Sequence, residues 1–138
     1  MKQRAFVAID LGATSGRVIL ATLTGDGVTL DVVHRFPNRL LSIGGRWHWN
    51  IYALYEEILH GLTCIGGRGV EVASIGVDTW GVDTAFVAAD GTLAGLPRAY
   101  RDPWTEGMPE RLFGQIPRRE VYERTGIQIM NINTLYQL

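Results

Sequence analysis

A short polar turn near the start of the chain combines residue types that bind phosphate. It reads Asp-Leu-Gly-Ala-Thr-Ser-Gly-Arg over residues 10–17 and lies between two apolar segments, residues 5–9 and 18–23. Both segments are short and rich in aliphatic residues, which predicts strands. Gly12 and Gly16 would let the backbone turn sharply and approach a ligand closely.

The side chains of this turn predict a binding site for phosphate and a metal ion. Successive amide N–H groups in such a turn can bind an anion, and Thr14 and Ser15 add hydroxyl groups while Arg17 adds a positive charge. Asp10 ends the first segment beside the turn, where a carboxylate can hold a hydrated magnesium ion. The pattern indicates nucleoside triphosphate binding, and the alternative is a hairpin loop made of ordinary turn-forming residues.

Two commoner phosphate-binding motifs do not fit this turn. The chain has no Gly-Lys-Ser or Gly-Lys-Thr, so the turn is not a Walker A loop. A Rossmann glycine motif opens a helix, but the residues after Arg17 predict a strand. A strand–turn–strand hairpin that begins with aspartate resembles the first phosphate motif of the actin-like ATPase superfamily, which includes sugar kinases, actin and chaperone ATPases.

Length and composition indicate one globular domain over residues 1–138. Hydrophobic residues make up 46% of the chain, charged residues make up 20%, and the net charge is −1. Nothing in this balance favours nucleic acid or an anionic membrane as a partner, and no apolar run is long enough to cross a membrane. Cys64 is the only cysteine, so an intrachain disulfide and a zinc cluster are excluded, and a cytoplasmic location is expected.

The remaining elements predict an α/β fold with a mixed sheet. After a third strand and an irregular segment, we expect a helix capped by Asn50, a fourth strand buried on both faces, a hairpin and two short helices. The third strand is assigned to residues 28–36, the irregular segment to 37–49, the fourth strand to 70–77, the hairpin to 84–91 and the short helices to 106–115 and 118–125. The long helix follows Asn50 and is ended by Gly66-Gly67. The predicted apolar face of the first helix consists of Ile51, Leu54, Tyr55, Ile58, Leu59 and Leu62.

The order strand–strand–strand–helix–strand is similar to the ribonuclease-H-like half-domain from which actin-like kinases are built. The last residues, 133–138, resemble a helix start that is then cut off. We therefore interpret the chain as a fragment of a longer protein.

A second polar segment follows the predicted fourth strand, where ligands bind in open α/β sheets. Asp78, Thr79 and Asp83 could bind hydroxyl groups, Trp80 offers an apolar face for a sugar ring, and Gly81 leaves the backbone accessible. The alternative is a polar strand end beside a packed tryptophan.

Together, Ile-Asp-Leu-Gly-Ala-Thr-Ser-Gly-Arg at residues 9–17 and Gly-Val-Asp-Thr-Trp-Gly-Val-Asp at residues 76–83 resemble the FGGY carbohydrate kinase family. The resemblance runs from about Phe6 to the last residue and continues through residues 96–102, 125–128 and 133–138. Many members carry a lysine and a tryptophan near the last segment, which this chain lacks. That difference disfavours glycerol and xylulose kinases and agrees with the branch that phosphorylates L-rhamnulose.

The resemblance implies ATP-dependent phosphorylation of L-rhamnulose at its primary hydroxyl. The residues implied to contact the ATP phosphates are Ala13, Thr14, Ser15, Gly16 and Arg17, with Asp10 near Mg²⁺. The residues expected on the sugar side are Asp78, Trp80, Gly81, Arg101 and Asp102. The general base, the adenosine site and the second domain would lie beyond the position that matches Leu138. We therefore expect no catalytic residue in this chain and no activity from the chain alone.

Other hypotheses stay open at this point. Another deoxyketose kinase, such as one for fuculose, belongs to the same class, and a non-catalytic actin-like nucleotide-binding module belongs to a different one. The expected partners are a small ketose and the C-terminal part of the same protein. Self-association is expected if apolar surface is left uncovered.

Overall fold

A mixed sheet and one long helix form the part of the fold that carries the predicted phosphate turn. The computed structural model describes residues 4–138. The strands are β1 (Arg4–Leu11), β2 (Ser15–Thr24), β3 (Gly27–Pro37), β4 (Leu40–Ile43), β5 (Arg46–Trp49) and β6 (Glu71–Thr79). The helices are α1 (Ile51–Gly66), α2 (Met108–Phe113) and α3 (Arg118–Thr125), with 3₁₀ turns at Pro103–Thr105 and Thr134–Tyr136.

The chain divides into two compact units, which are described separately. The first comprises Met1–Arg39 and Asn50–Trp80, and the second comprises Leu40–Trp49 and Gly81–Leu138. The sequence alone predicts one domain over residues 1–138. None of the helices within residues 4–138 combines the length and the apolar character needed to cross a membrane.

The first unit contains a four-stranded sheet in the order β3-β2-β1-β6. β1 pairs with β2 and β2 with β3 in antiparallel fashion, whereas β6 lies parallel to β1. This arrangement confirms the three predicted antiparallel strands and the fourth strand that follows the helix. A parallel neighbour places the C-terminal ends of β1 and β6 at the same edge of the sheet.

The core of the first unit lies between the sheet and α1. Side chains alternate along β1, so that Ala5, Val7 and Ile9 are buried. The predicted cap of α1 is confirmed, because the Asn50 side chain accepts a hydrogen bond of 3.2 Å from the Ala53 amide. The helix approaches β2 so closely at buried Gly61 that a Cβ there would lie 2.5 Å from Val18 Cγ2.

The buried face of α1 differs in part from the predicted one. Leu54 is buried, and Ile51, Ile58 and Leu62 pack against the core as predicted. Tyr55 and Leu59 are exposed instead, and Ile65 is buried. The predicted face was too wide, because the residues that pack on the core, Ile51, Leu54, Ile58, Leu62 and Ile65, recur every three or four residues along one narrow stripe.

The prediction that β6 is buried on both faces is wrong. Val77 is 61% exposed and Ile75 is 52% exposed, and the whole strand is exposed in the described structure. By register these two residues lie beside Ile9 and Val7, on the face that α1 covers elsewhere. They are uncovered because α1 packs on β2 and β3, whereas β6 is at the edge of the sheet.

The segment predicted to be irregular over residues 37–49 contains the β4–β5 hairpin. Its turn is Gly44-Gly45, with φ of 58° and 73°, and two central residues with positive φ are what a type I′ hairpin turn requires. The hairpin predicted around residues 84–91 is reduced to one bridge between Val87 and Leu93. Helix α3 has the predicted bounds and ends at left-handed Gly126, whereas α2 is shorter than predicted.

Candidate phosphate and sugar sites

The predicted phosphate turn connects β1 to β2, and Asn38 donates hydrogen bonds to the backbone of this turn. The Asn38 Nδ2 group donates to the Gly12 carbonyl at 2.9 Å, and the Asn38 amide donates to the Thr14 carbonyl at 2.9 Å. Asn38 is only 7% exposed. Sequence reasoning missed this residue, because only the register of β3 on β2 shows that it lies beside the turn.

These two hydrogen bonds determine which way the turn's amides point. Every described peptide bond is trans, so each carbonyl points opposite to the following N–H group. Because the Gly12 and Thr14 carbonyls face Asn38, the N–H groups of Ala13 and Ser15 face away from it. The amides of Ala13 and Ser15, two of the predicted phosphate contacts, therefore point to the side of the turn opposite Asn38, where they could bind an anion as in a nest.

The two glycines of the turn are required for different reasons, and neither has a positive φ. A Cβ at Gly12 would lie 2.9 Å from the Ser15 carbonyl oxygen, so the tight turn itself requires glycine. A Cβ at Gly16 would lie 2.3 Å from the ring of buried Phe36. The sequence predicts that Gly16 lets a phosphate approach the backbone closely. The structure shows in addition that the packing of Phe36 leaves no room for a side chain at this position.

Three charged side chains share one face of the sheet at the end of β1. Asp10 lies opposite Arg17 on β2 and beside Asp78 on parallel β6. Asp10 and Arg17 form an ion pair. The Arg17 Nε atom is buried and has no hydrogen-bond acceptor among the described residues. A buried donor without an acceptor is the feature expected where an anion binds.

This arrangement fits a magnesium ion bound with its own waters. Among the described residues, no group of three or more histidine, cysteine, aspartate or glutamate side chains forms a metal cage. Mg²⁺ does not require one, because it usually keeps several waters and takes one or two carboxylates together with substrate phosphates. Asp10 could supply one carboxylate, with Asp78 beside it in the register.

The predicted sugar-side residues of the first unit are Asp78 and Trp80. Asp78 is exposed near the end of β6, and Trp80 directly follows that strand. Trp80 is half-buried and packs against the apolar core of this unit. Part of the indole therefore packs against the core, which supports the alternative interpretation of this segment as a polar strand end beside a packed tryptophan.

In the second unit, Gly81 is exposed, and no atom lies within 4 Å of the position that its Cβ would take. The backbone after it is held by a polar network. The Thr134 hydroxyl donates to the Val82 carbonyl at 2.6 Å, and Gln137 Nε2 lies 3.2 Å from both that carbonyl and Asp83 Oδ1. The indole N–H of Trp49 also donates to the Asp83 carboxylate. Gly81 is therefore accessible while the segment after it is fixed.

Asp102 is built into the second unit as a structural carboxylate. Its side chain is fully buried and accepts hydrogen bonds from the amides of Trp47 at 2.8 Å and Trp104 at 3.0 Å, and from Arg46 at 3.3 Å. Burial raises the pKa of Asp102, but these amides and the charges of Arg46 and Arg98 outweigh it and hold the pKa below its ordinary value. The geometry favours a role in fixing the β4–β5 hairpin, whereas neighbouring Arg101 is exposed.

No model of a known protein family matches the chain. The chain is 54% identical over 138 residues to a rhamnulokinase of Bacteroides thetaiotaomicron, covering all of this chain and 28% of that protein. It is 44% identical over 140 aligned positions to a rhamnulokinase of Pectobacterium carotovorum, again covering all of this chain and 28% of that protein. The crystal structure of gluconate kinase from Lactobacillus acidophilus superposes with a TM-score of 0.81 at 12% identity, covering 99% of this chain and 27% of that one.

These comparisons confirm the predicted fold class and the predicted resemblance. The chain has the α/β fold seen in the crystal structures of gluconate kinase and xylulose kinase from Lactobacillus acidophilus. Its sequence is similar to that of rhamnulokinases from its first residue to its last. The chain spans 28% of the length of the curated relatives that it matches.

Proposed function

We propose that the chain is the N-terminal part of an ATP-dependent sugar kinase that phosphorylates L-rhamnulose at the C1 hydroxyl, giving rhamnulose 1-phosphate. The longer protein is called the full-length enzyme below. The observation that carries this proposal is the 54% identity to a rhamnulokinase along all 138 residues. A cytoplasmic location is part of the proposal, since a single free cysteine suits a reducing compartment.

On the nucleotide side, the turn between β1 and β2 would position the ATP phosphates. Phosphoryl transfer depends mainly on positioning and charge neutralisation. The amides of Ala13 and Ser15, which face away from Asn38, would donate to phosphate oxygens, and Thr14 would add its hydroxyl group. Arg17 would supply positive charge beside them. Asp10 would hold the hydrated magnesium ion, which supplies further neutralisation of the phosphates.

On the sugar side, Gly81 would let the ketose approach the backbone. The network that ties Val82 and Asp83 to Thr134 and Gln137 supports this role, because it fixes the accessible segment in place. Trp80, Asp78 and Arg101 would line the site, and Asp102 would act through the hairpin that it holds. The general base would be supplied by the full-length enzyme outside these 138 residues.

A coupled ADP-release assay tests the proposal with three ketoses. The full-length enzyme with magnesium ATP should turn over L-rhamnulose faster than L-fuculose or L-xylulose, and the 138-residue chain should show no turnover above a purified blank. A higher kcat/KM for L-fuculose would favour the other deoxyketose kinase. Nucleotide binding without any sugar-dependent turnover would favour the non-catalytic module and refute the kinase assignment.

A further inference from the structure

A cluster of titratable side chains lies between β3 and α1, and none of its members belongs to the proposed phosphate and sugar sites. Its centre is His34 on β3, whose side chain is 20% exposed. The His34 Nε2 atom lies 2.6 Å from a carboxylate oxygen of Glu57 on α1. A carboxylate only accepts hydrogen bonds, so Nε2 carries the proton and donates it. This bond fixes the orientation of the His34 ring against the helix.

A second histidine, His60 on α1, packs against His34. The two rings meet edge to face, and their centroids are 4.6 Å apart. The register of β2 on β3 places apolar Val18 beside His34, so β2 brings no charge to this point. The other titratable or charged groups on this side of β3 and α1 are an acid on β3, the arginine paired with it, and a thiol beside His60: Asp31, Arg68 and Cys64.

The His34 ring also stacks on Phe36, two residues further along β3. The ring centroids are 5.4 Å apart, and the ring planes are inclined by 28°. Phe36 is buried and lies opposite Gly16 of the phosphate turn, where its ring fills the space that a side chain at Gly16 would need. Contacts therefore run without a break from Glu57 through His34 and Phe36 to the backbone of the phosphate turn.

We propose that His34 is a positioning residue for ATP, and that the charge on the His34–His60 pair makes the affinity for ATP depend on pH. The inference rests on the proposed function and deepens it, because it concerns the regulation of the same phosphate turn. Histidine gains its positive charge between pH 5 and pH 8. Glu57 can offset the charge of one protonated ring, so a second proton leaves the cluster with a net positive charge. Repulsion between the two rings should then shift His34 from its place on Phe36 and loosen the turn.

The size of the effect follows from the separation of the two rings. His60 is exposed, so water screens the repulsion. In water, two unit charges 4.6 Å apart repel with an energy that corresponds to about a fivefold change in an equilibrium constant. We therefore expect this repulsion to weaken ATP binding about two- to fivefold when the pH falls from about 7.5 to about 5.5.

Calorimetric titration of the full-length enzyme with a non-hydrolysable ATP analogue and Mg²⁺ measures the Kd at both pH values. The ratio of the Kd at low pH to the Kd at high pH is compared between variants, because protonation of the analogue itself contributes equally to all of them. His60→Gln removes the second charge, so it should lower this ratio about two- to fivefold and leave the Kd at the higher pH unchanged. His34→Gln should lower the ratio in the same way and also raise the Kd at the higher pH, because Phe36 loses its stacked ring.

The matched control is His48→Gln, at the third histidine of the chain, which lies on β5 outside this cluster. It should keep the wild-type ratio. A purely structural role of His34 or His60 would raise the Kd equally at both pH values and would also leave the ratio unchanged, so the ratio separates the two roles.

The outcomes that overturn the inference are distinct from failure of the proposed function. If the full-length enzyme does not bind the analogue at the higher pH, the proposed function fails and the inference fails with it. If the enzyme binds the analogue but His60→Gln keeps the wild-type ratio, only the inference fails. His60 is exposed, so this variant should fold even if His34→Gln does not. A folded His34→Gln protein that binds the analogue as tightly as the wild type at the higher pH would also overturn the inference.

Discussion

Asn38 should control nucleotide binding without touching the nucleotide. Asn38→Ala removes the 2.9 Å hydrogen bond from Nδ2 to the Gly12 carbonyl, at a side chain that is only 7% exposed. A buried polar group that loses its partner costs about 1–3 kcal/mol. The variant also removes Asn38 Oδ1, which is buried and has no hydrogen-bond partner among the described residues. Because removing this unpaired oxygen is favourable, it offsets part of the free-energy cost of the lost hydrogen bond. We expect the lower part of the range, about 1–2 kcal/mol.

This free energy should appear as weaker binding of ATP. The bond from the Asn38 amide to the Thr14 carbonyl remains in the variant, so the turn is loosened and must be ordered again when the phosphates bind. A cost of about 1–2 kcal/mol corresponds to an affinity about 5- to 30-fold lower. Calorimetric titration of the full-length enzyme with a non-hydrolysable ATP analogue and Mg²⁺ measures it directly.

Two further variants make this prediction specific. Asn38→Asp keeps the shape but replaces the donor with a carboxylate facing a carbonyl, so its loss should be at least as large. Asn131→Ala removes an exposed asparagine and should leave the affinity unchanged. The reasoning is refuted if Asn38→Ala binds the analogue as tightly as the wild type does.

Three further predictions concern the stability and association of the 138-residue chain. Gly61→Ala should destabilise the chain by about 1–3 kcal/mol in urea unfolding, because its Cβ would lie 2.5 Å from Val18. The control is Gly66→Ala in the same helix, whose Cβ would have no atom within 4 Å and should not destabilise the chain. Equal effects of the two variants would contradict the packing argument. The pKa of Asp102 is lowered below 3.8, so its stabilisation should be present above about pH 4 and lost as the pH falls below 3.8. The stability difference from Asp102→Asn, measured between pH 6 and pH 3, should therefore shrink at low pH, and a constant difference would argue against the assignment. The sheet exposes six apolar side chains, through which the chain should self-associate: Leu23, Val28, Leu30, Val32, Ile75 and Val77. Light scattering over a concentration series should show this association, and a monomer at every concentration would count against it.

Features set by local chemistry could be predicted from the sequence. The strand–turn–strand unit, the Asn50 cap of α1 and the bounds of α3 with its Gly126 terminus each depend on residues close together in the chain. Capping and turn preferences act over a few residues, so the sequence shows them directly. The glycine pair of the β4–β5 turn is also a local signal, because two consecutive glycines with positive φ are typical of a type I′ hairpin turn.

Features set by distant neighbours could not be predicted in this way. Val77 and Ile75 are of apolar types that are typical of a buried strand, but whether they are exposed depends on where α1 packs. Asn38 lies beside the phosphate turn only through the pairing of β3 with β2. Asp102 was predicted to line the sugar site, but it is buried, and two of its hydrogen-bond donors, the Trp47 amide and Arg46, lie 55 and 56 residues away in sequence.

Proton-coupled ³¹P NMR of the reaction product tests the central claim most directly. The full-length enzyme, supplied with magnesium ATP and L-rhamnulose, should yield ADP and one new phosphomonoester signal. L-Rhamnulose has a single primary hydroxyl, at C1, so phosphorylation there couples the phosphorus to two protons and predicts a triplet. A doublet would show transfer to a secondary hydroxyl, and the absence of any sugar-dependent phosphomonoester would contradict the assignment of this chain to an L-rhamnulose kinase.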